Sequence, residues 1–511
     1  MSGFWQILSQ LGDELSAHVL LSAAALALGI LVALPLAVWA SRSPPVARIA
    51  LALASLVQTI PALALLALFF PILLSLRAVF GEGLPTLGFL PALLALALYA
   101  LLPILRNAVT AQANLDQGVL EAAAGVGMSK WQRLRLVEAP LTAPFIMAGI
   151  RTAAVWTIGA ATLATTIGQK SLGDPIFAGL QTQNWALVLA GCIASAGLAL
   201  LADALLGLIE RGMRERRRGL WLAGLAAVII GVGGVLAPQL FSREDNRVVI
   251  GAKGFSEQYI LARLIGQRLE AAGYAVEYRD GLGSAVAHGA LTSSEIDLLV
   301  DYTGTIWTNQ MKREDNPSRD VMLAEIEAWE RQTSGTLLLG RLGFENAYGL
   351  AMNREKATFG MFESIGDLAD RGQNMTIGGD PEFFERPEWI AVRDAYGLRF
   401  ARQRNFSPTF MYNALQSGEA DVISAYTSDG RIAADGLLVL ADPKRAFPNY
   451  DAIILVSPEA RTDGELVATL NPLVGAIDVA LMREANYMVD REEEKQSPDQ
   501  AARWLARKIG R

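Results

Sequence analysis

Six apolar runs crowd the first 240 residues, near 19–40, 46–74, 87–105, 141–168, 185–209 and 219–240. A helix needs ~20 such residues to cross ~30 Å of hydrocarbon, so this stretch reads as a helical membrane domain. The second run holds Pro61 and Pro71 and can be divided into two short pieces. Basic residues decide the count. Segments 41–48, 106–139 and 211–218 hold 2, 4 and 5 Lys/Arg, whereas segments 1–18, 75–86 and 169–184 hold 0, 1 and 1. Six spans with an external N-terminus keep that alternation, and dividing the second run breaks it. The sixth span then delivers residue 241 onward to the outside.

The two halves differ in charge. Residues 1–240 carry 14 Lys+Arg against 10 Asp+Glu, a net of +4; residues 241–511 carry 30 against 41, a net of −11. An acidic surface repels phosphate, which argues against a nucleic-acid partner. One Cys excludes an intrachain disulfide, and two distant His (His18, His288) argue against a zinc site, so no metal is expected. Asp13 and Glu14, with no basic residue before them, do not suit a cleaved signal peptide. Phe4, Trp5, Leu8, Leu11 and Leu15 recur at helical spacing, so residues 1–18 read as an interfacial segment. The main membrane block is then 19–210, with its largest internal loop at 106–140. Residues 211–241 form a basic topology anchor and an extra transmembrane tether.

That internal loop carries a motif: Glu121-Ala122-Ala123-Ala124-Gly125-Val126-Gly127, nine residues, then Val137-Glu138-Ala139-Pro140. It reads as a short small-faced helix turned by Gly127, suited to docking in a cleft of another protein. The spacing resembles the coupling loop of ABC importer permeases, with Ala139 where Leu is usual. Residues 99–180 resemble the permeases of glycine betaine/carnitine/choline uptake, departing at Gly168-Gln169-Lys170-Ser171-Leu172-Gly173. The resemblance implies an all-α permease in the bacterial inner membrane. It also implies a homodimer of this chain and cytoplasmic ATPase subunits contacting Glu121, Ala122, Ala123 and Gly127. No Lys follows a Gly anywhere in the chain, so it holds no Walker A loop and ATP hydrolysis falls to a partner; no cofactor is expected here.

From 246 onward, β-rich runs alternate with amphipathic helices, which predicts α/β architecture. Strands are expected at Arg247–Ala252, Tyr274–Tyr278, Ile296–Asp301, Met375–Gly379, Leu398–Phe400 and Asp421–Ala425, with a helix over Asp380–Trp389. Two such sets predict two lobes. Lobe one is about 246–348 and 453–511, lobe two about 349–452, and ligands sit where strand ends meet helix N-termini.

This half (242–511) resembles the two-lobed, type II periplasmic binding proteins of the same uptake family. The matching strings are Lys253-Gly-Phe255-Ser256-Glu257-Gln258, Gly281-Leu-Gly283-Ser284, Asp301-Tyr302-Thr303-Gly304-Thr305, Glu345-Asn346-Ala-Tyr348, Glu385-Arg386-Pro387, Tyr426-Thr427-Ser428-Asp429-Gly430 and Phe447-Pro448-Asn-Tyr450. The family's ligands carry a quaternary ammonium, which cannot donate a hydrogen bond and is held by aromatic faces at ~2 kcal/mol or more when desolvated. Tyr302, Trp307 and Tyr426 are the candidate cage, with Phe255, Ser256, Glu257, Ser284, Thr303, Thr305, Asn346 and Thr427 around it. Arg386 is a candidate fork for a ligand carboxylate. Asp429 reads as a turn cap or a ligand contact, and His288 as a packed helix residue.

The leading function is the pore and receptor of an ATP-driven importer for glycine betaine, choline or carnitine. The alternative is ergothioneine, a betaine bearing a thioimidazole ring. A membrane-anchored ligand sensor needs an intracellular signalling domain, where this sequence has short loops. An anchored hydrolase needs a nucleophile–base set, and no Gly-x-Ser-x-Gly string occurs.

Overall fold

A computed structural model describes all residues except 1–7, 9–10, 82–83, 182–183, 242–245, 314, 492 and 511. It divides into one unit of residues 1–176 and 186–243 and another of 177–185 and 244–511. Phe4 and Trp5 fall outside the described residues.

The first unit is helical: α1 Gly12–Arg42, α2 Pro44–Thr59, α3 Ala62–Phe80, α4 Phe89–Ala113, α5 Gln117–Gly125, α6 Lys130–Arg133, α7 Ala139–Ala161, α8 Trp185–Arg214 and α9 Arg218–Phe241. Residues 12–18 are not a separate interfacial piece; α1 runs through them unbroken. Among the described residues, five helices are long and apolar enough to span a membrane. The remaining expected span, the second run near 46–74, is α2 plus α3, bent by 103°. Pro61 causes the bend: it supplies no N–H, and Ile60 before it adopts extended backbone (φ −76°, ψ 127°).

Helices α1, α4 and α7 form the centre of this bundle. Ala25, Gly29, Ala33 and Ala37 recur every fourth residue on α1 and are all buried. Such a small-residue stripe lets backbones approach closely where lipid tails remove any hydrophobic drive for association. Arg151 on α7 is charge-compensated by two carboxylates of α8, with Nε 2.5 Å from Asp203 and Nη1 3.2 Å from Glu210. The altered segment 168–173 keeps glycine where geometry demands it. Gly168 is left-handed (φ +75°), and a Cβ at Gly173 would lie 1.8 Å from the Thr162 carbonyl oxygen.

The second unit holds two five-stranded sheets. Its strands are β1 Arg247–Lys253, β2 Ala275–Leu282, β3 Leu298–Tyr302, β4 Leu337–Glu345, β5 Tyr348–Asn353, β6 Thr376–Gly379, β7 Arg402–Asn405, β8 Val422–Tyr426, β9 Leu437–Val439 and β10 Asp451–Val456. The orders are β2-β1-β3-β10-β4 and β7-β6-β8-β5-β9. In each, three strands are parallel, and the fourth in order runs antiparallel to both its neighbours. The chain crosses between sheets just before Tyr348 and again between Val439 and Asp451. Two local expectations fail. Leu398–Phe400 is not a strand; β7 begins at Arg402, where the backbone can pair with β6. The helix expected over 380–389 is two, Pro381–Glu385 and Pro387–Tyr396, because Pro387 forces Arg386 into extended backbone (φ −81°, ψ 146°).

Candidate functional site

The first sheet presents its site at the carboxyl ends of β1 and β3. Lys253 closes β1 and is neutralised by Asp301, Nζ to Oδ1 2.6 Å, both buried. After Gly254 the chain turns into helix α10 (Ser256–Ala271), and Phe255 at its cap is extended. The first turn of α10 carries Glu257 and Gln258 beneath Tyr302, the last residue of β3. The Tyr302 hydroxyl donates to Glu257 Oε1 at 2.6 Å and accepts from Gln258 Nε2 at 3.0 Å. Glu257 also accepts from Asn346 Nδ2 (3.0 Å) and from Asn486 Nδ2 (2.9 Å), the latter on helix α14 (Val479–Asp490; α11 is Ser284–Thr292, and α12 and α13 are Pro381–Glu385 and Pro387–Tyr396). Burial pushes the Glu257 carboxyl above its usual range, and these donors draw it back. Burial likewise pushes the Tyr302 phenol well up, so it stays protonated and donating.

The second sheet repeats the device. Asp380 follows β6, caps α12 through Phe383 N (2.9 Å) and accepts the Tyr426 hydroxyl at 3.0 Å. Tyr426 ends β8 as Tyr302 ends β3. Burial raises the Asp380 carboxyl too. Arg386, in the break between α12 and α13, donates to Glu382 at 2.5 Å and to Glu388 at 3.3 Å. Its guanidinium lies 5.4 Å from the Tyr348 ring centroid, and among the described residues its buried Nε finds no acceptor. The Tyr450 hydroxyl donates to Glu388.

These groups enclose a cleft of about 770 Å³, counted with its open mouth. Five aromatic rings line it: Phe255, Tyr302, Tyr348, Tyr426 and Tyr450. Phe255 stacks 6.1 Å from Tyr426, and Tyr348 stands 5.2 Å from Tyr426 and 5.6 Å from Tyr450. The polar wall is Asp380, Glu382 and Arg386, with Lys253 compensated by Asp301. Aromatic faces and carboxylates around a guanidinium whose Nε has no acceptor among the described residues suit a ligand with a donor-free cation and a carboxylate.

Residues 246–507 match the family described as the substrate binding domain of ABC-type glycine betaine transport system, and residues 25–215 match the binding-protein-dependent transport system inner membrane component. The first match alone spans half of the chain. This chain belongs to the ABC-type glycine betaine transport family. It is 32% identical to the ergothioneine transport permease/ergothioneine binding protein EgtU of Helicobacter pylori (strain G27), covering 88% of this chain and 82% of that one. It is 41% identical to the glycine betaine/carnitine/choline transport system permease protein OpuCB of Bacillus subtilis (strain 168), over 38% of this chain and 84% of that one. It is 31% identical to the glycine-betaine-binding protein of Pseudomonas aeruginosa, over 54% of this chain and 92% of that one. The importer chain thus joins an inner-membrane permease to its solute receptor, and it is a transporter subunit rather than an enzyme.

Within this importer chain, the cleft gathers Phe255, Ser284, Tyr302, Thr305, Asn346, Arg386 and Tyr426 from the residues singled out by sequence. Ser256, Glu257 and Asp429 line a smaller adjoining compartment. Three others lie outside both linings. Trp307 is fully buried, its indole N–H held by the Asp315 carbonyl at 2.7 Å and its face covered by Arg313. Thr303 bridges to β10, accepting from Asp451 N at 3.0 Å. Thr427 closes the crossing strand, accepting from Ala347 N at 2.9 Å. Sequence reasoning missed Tyr348, Tyr450 and Asp380. The two tyrosines sit where the chain crosses between sheets, and Asp380 stands one residue past a strand end, which was the available signal. In the permease, Glu121, Ala122 and Gly127 are exposed on and after α5, while Ala123 is buried; Gly127 is left-handed (φ +81°).

Proposed function

We propose that this chain imports a zwitterionic quaternary ammonium solute, with the cation among the aromatic rings and the carboxylate on Arg386. The five-ring cleft with one guanidinium at its wall carries the reading. Lobe two closes on lobe one around the ligand in hinge fashion. The chain acts as a homodimer with separate cytoplasmic ATPase subunits, and it needs no cofactor of its own. Exposed Val126 and Trp131 beside the Glu121–Gly127 segment supply apolar surface for that ATPase contact.

Glycine betaine and carnitine satisfy both features, whereas choline offers only the cation. Ergothioneine satisfies both as well, and the fused, near-full-length relative that carries its name favours it. The test is calorimetric titration of the full chain in lipid nanodiscs with glycine betaine, choline, carnitine, proline betaine and ergothioneine. At least one betaine should bind in the micromolar range or tighter, and choline should bind more weakly than the best betaine. Absence of binding by every betaine sinks the reading. Replacing Gly127 by Leu should abolish ATP-driven uptake in proteoliposomes and leave ligand affinity unchanged.

A further inference from the structure

The membrane unit holds a charged cluster that the importer reading does not use. Arg151 stands 12 residues into α7, and Asp203 stands 11 residues before the end of α8. At ~1.5 Å per residue each lies about 17 Å from its helix end, within the ~30 Å hydrocarbon layer. The guanidinium meets Asp203 with two prongs, Nε to Oδ1 at 2.5 Å and Nη2 to Oδ2 at 2.6 Å. Its Nη1 reaches Glu210 Oε2 at 3.2 Å. Asp203, Gly207 and Glu210 recur at helical spacing and share one face of α8. A Cβ at Gly207 would lie 3.4 Å from Cζ and Nη1 of Arg151, so the guanidinium rests over backbone between the two carboxylates. A planar fork on a carboxylate fixes direction as well as distance. Among the described residues, no other ion pair joins two spanning helices.

Packing ties α7 to α8 over a short stretch beside this clamp, where Met147 and Ala154 meet Leu206 and Ile209. Along Ala194–Leu205, α8 instead borders an apolar groove of about 1630 Å³, counted with its open mouth, whose other walls include α1, α7 and α9. In the other direction α7 leads to the Glu121–Gly127 segment. Lys130–Ile167 is one helical run containing α6 and α7. Its turn over Leu134–Glu138 is a π-helix, a form frequent at functional sites, and Arg133 Nε braces it on Glu138 Oε1 at 2.7 Å. The run begins three residues after Gly127, so a push on that segment enters α7 directly.

We propose that Arg151 is a positioning residue for transport: its two-pronged clamp on Asp203 passes the displacement of α7 to α8, so the two helices move as a pair. This rests on the importer reading above and deepens it. Apolar side chains let packed helices shear past one another, whereas separating this pair would strand charges in hydrocarbon.

The experiment reconstitutes the full chain with its ATPase subunits in proteoliposomes. It measures uptake of glycine betaine, carnitine and ergothioneine together with ATP hydrolysis, ligand affinity and thermal stability. Arg151→Gln and Asp203→Asn should each cut uptake about ten-fold, with hydrolysis and affinity close to the parent's, so more ATP is consumed per solute. Arg151→Lys keeps the charge but loses the fork, and it should cut uptake several-fold. Arg151→Asp combined with Asp203→Arg should recover much of the parent's uptake. Unchanged uptake in Arg151→Gln overturns the proposal. So does a loss of uptake, hydrolysis and stability in step, with Arg151→Lys transporting like the parent, because that is a structural role. If Arg151→Gln does not assemble, the ratio of hydrolysis to uptake in Arg151→Lys decides. Transport by the parent and every variant sinks the clamp alone; a parent that imports none of the three solutes sinks the importer reading and the clamp with it.

Discussion

The two lobes of the receptor build one wall of the cleft each, with the same parts at the same places. Each sheet ends its central parallel strand in a tyrosine, Tyr302 on β3 and Tyr426 on β8. Each tyrosine donates its hydroxyl to a carboxylate just after the parallel strand beside its own, Glu257 after β1 or Asp380 after β6. They differ in how many donors hold them. Both carboxylates are buried, at 3% and 4% exposure, so the difference lies in their partners: Glu257 accepts from Tyr302, Asn346 and Asn486, and Asp380 from Tyr426 and one backbone N–H. Lobe one therefore carries a half-cage locked by three side-chain donors and lobe two a half-cage held by one. A hinged receptor gains from that inequality, because a preorganised wall reduces the ordering cost of binding while the other wall adjusts on closure.

The largest test is at the carboxylates. Glu257→Ala strands three buried donors at once, so it should destabilise the receptor by about 3 kcal/mol or more and lower ligand affinity over a hundred-fold. Asp380→Ala loses a helix cap and strands one side-chain donor rather than three, for about 1–2 kcal/mol and a ten-fold loss. Thermal unfolding of the full chain, paired with titration, measures both. Equal losses at the two sites break the comparison.

A smaller contrast is expected at the hydroxyls. Tyr302→Phe keeps the ring but leaves Glu257 and Gln258 each short of a partner, at about 2 kcal/mol; Tyr426→Phe should cost about 0.5–1 kcal/mol. Both variants should retain most of the affinity for the cation, since ring faces rather than hydroxyls hold it. If Tyr426→Phe proves the costlier in stability, lobe two is the fixed wall.

Much of this was legible because strand ends follow a two-residue alternation and loops after strands gather polar groups. Tyr302 and Tyr426 close strands, Ser284 and Phe255 stand at helix starts, and all four line the cleft. Trp307 misled because it is also near a strand end, yet a helical turn over Ile306–Gln310 rotates it inward. Whether an aromatic ring faces ligand or core depends on a rotation of this kind that periodicity leaves open. Arg386 was visible as a residue type, but its exposure to the cleft depends on the break at Pro387, read from sequence as continuous helix. The bend at Pro61 escaped for a similar reason: charge counting tallies sides of a membrane and is blind to a run that turns within it. The short helix over Gln117–Gly125 and the turn at Gly127 were legible from the small residues and the glycine, whereas the lodging of Gly173 against Thr162 depends on tertiary packing.

The smallest effect concerns pH and sharpens the contrast at the edge of the locked lobe. Burial pushes the Asp490 carboxyl up to about 6, against an ordinary value near 4. Arg431 counters that burial, Asp429 reinforces it, and Ser256 and Lys495 favour the ionised form. Between about pH 4 and pH 6 the folded chain holds a proton that the unfolded chain has lost. Stability from this group therefore falls as pH rises through that window and is flat above it. Asp490→Asn removes the titration while keeping an oxygen for Ser256. It should raise the unfolding free energy by about 1–2 kcal/mol at pH 7.5 and by less than half of that at pH 4.5, read from denaturant midpoints at the two values. An equal gain at both values would mean that Asp490 stays ionised throughout.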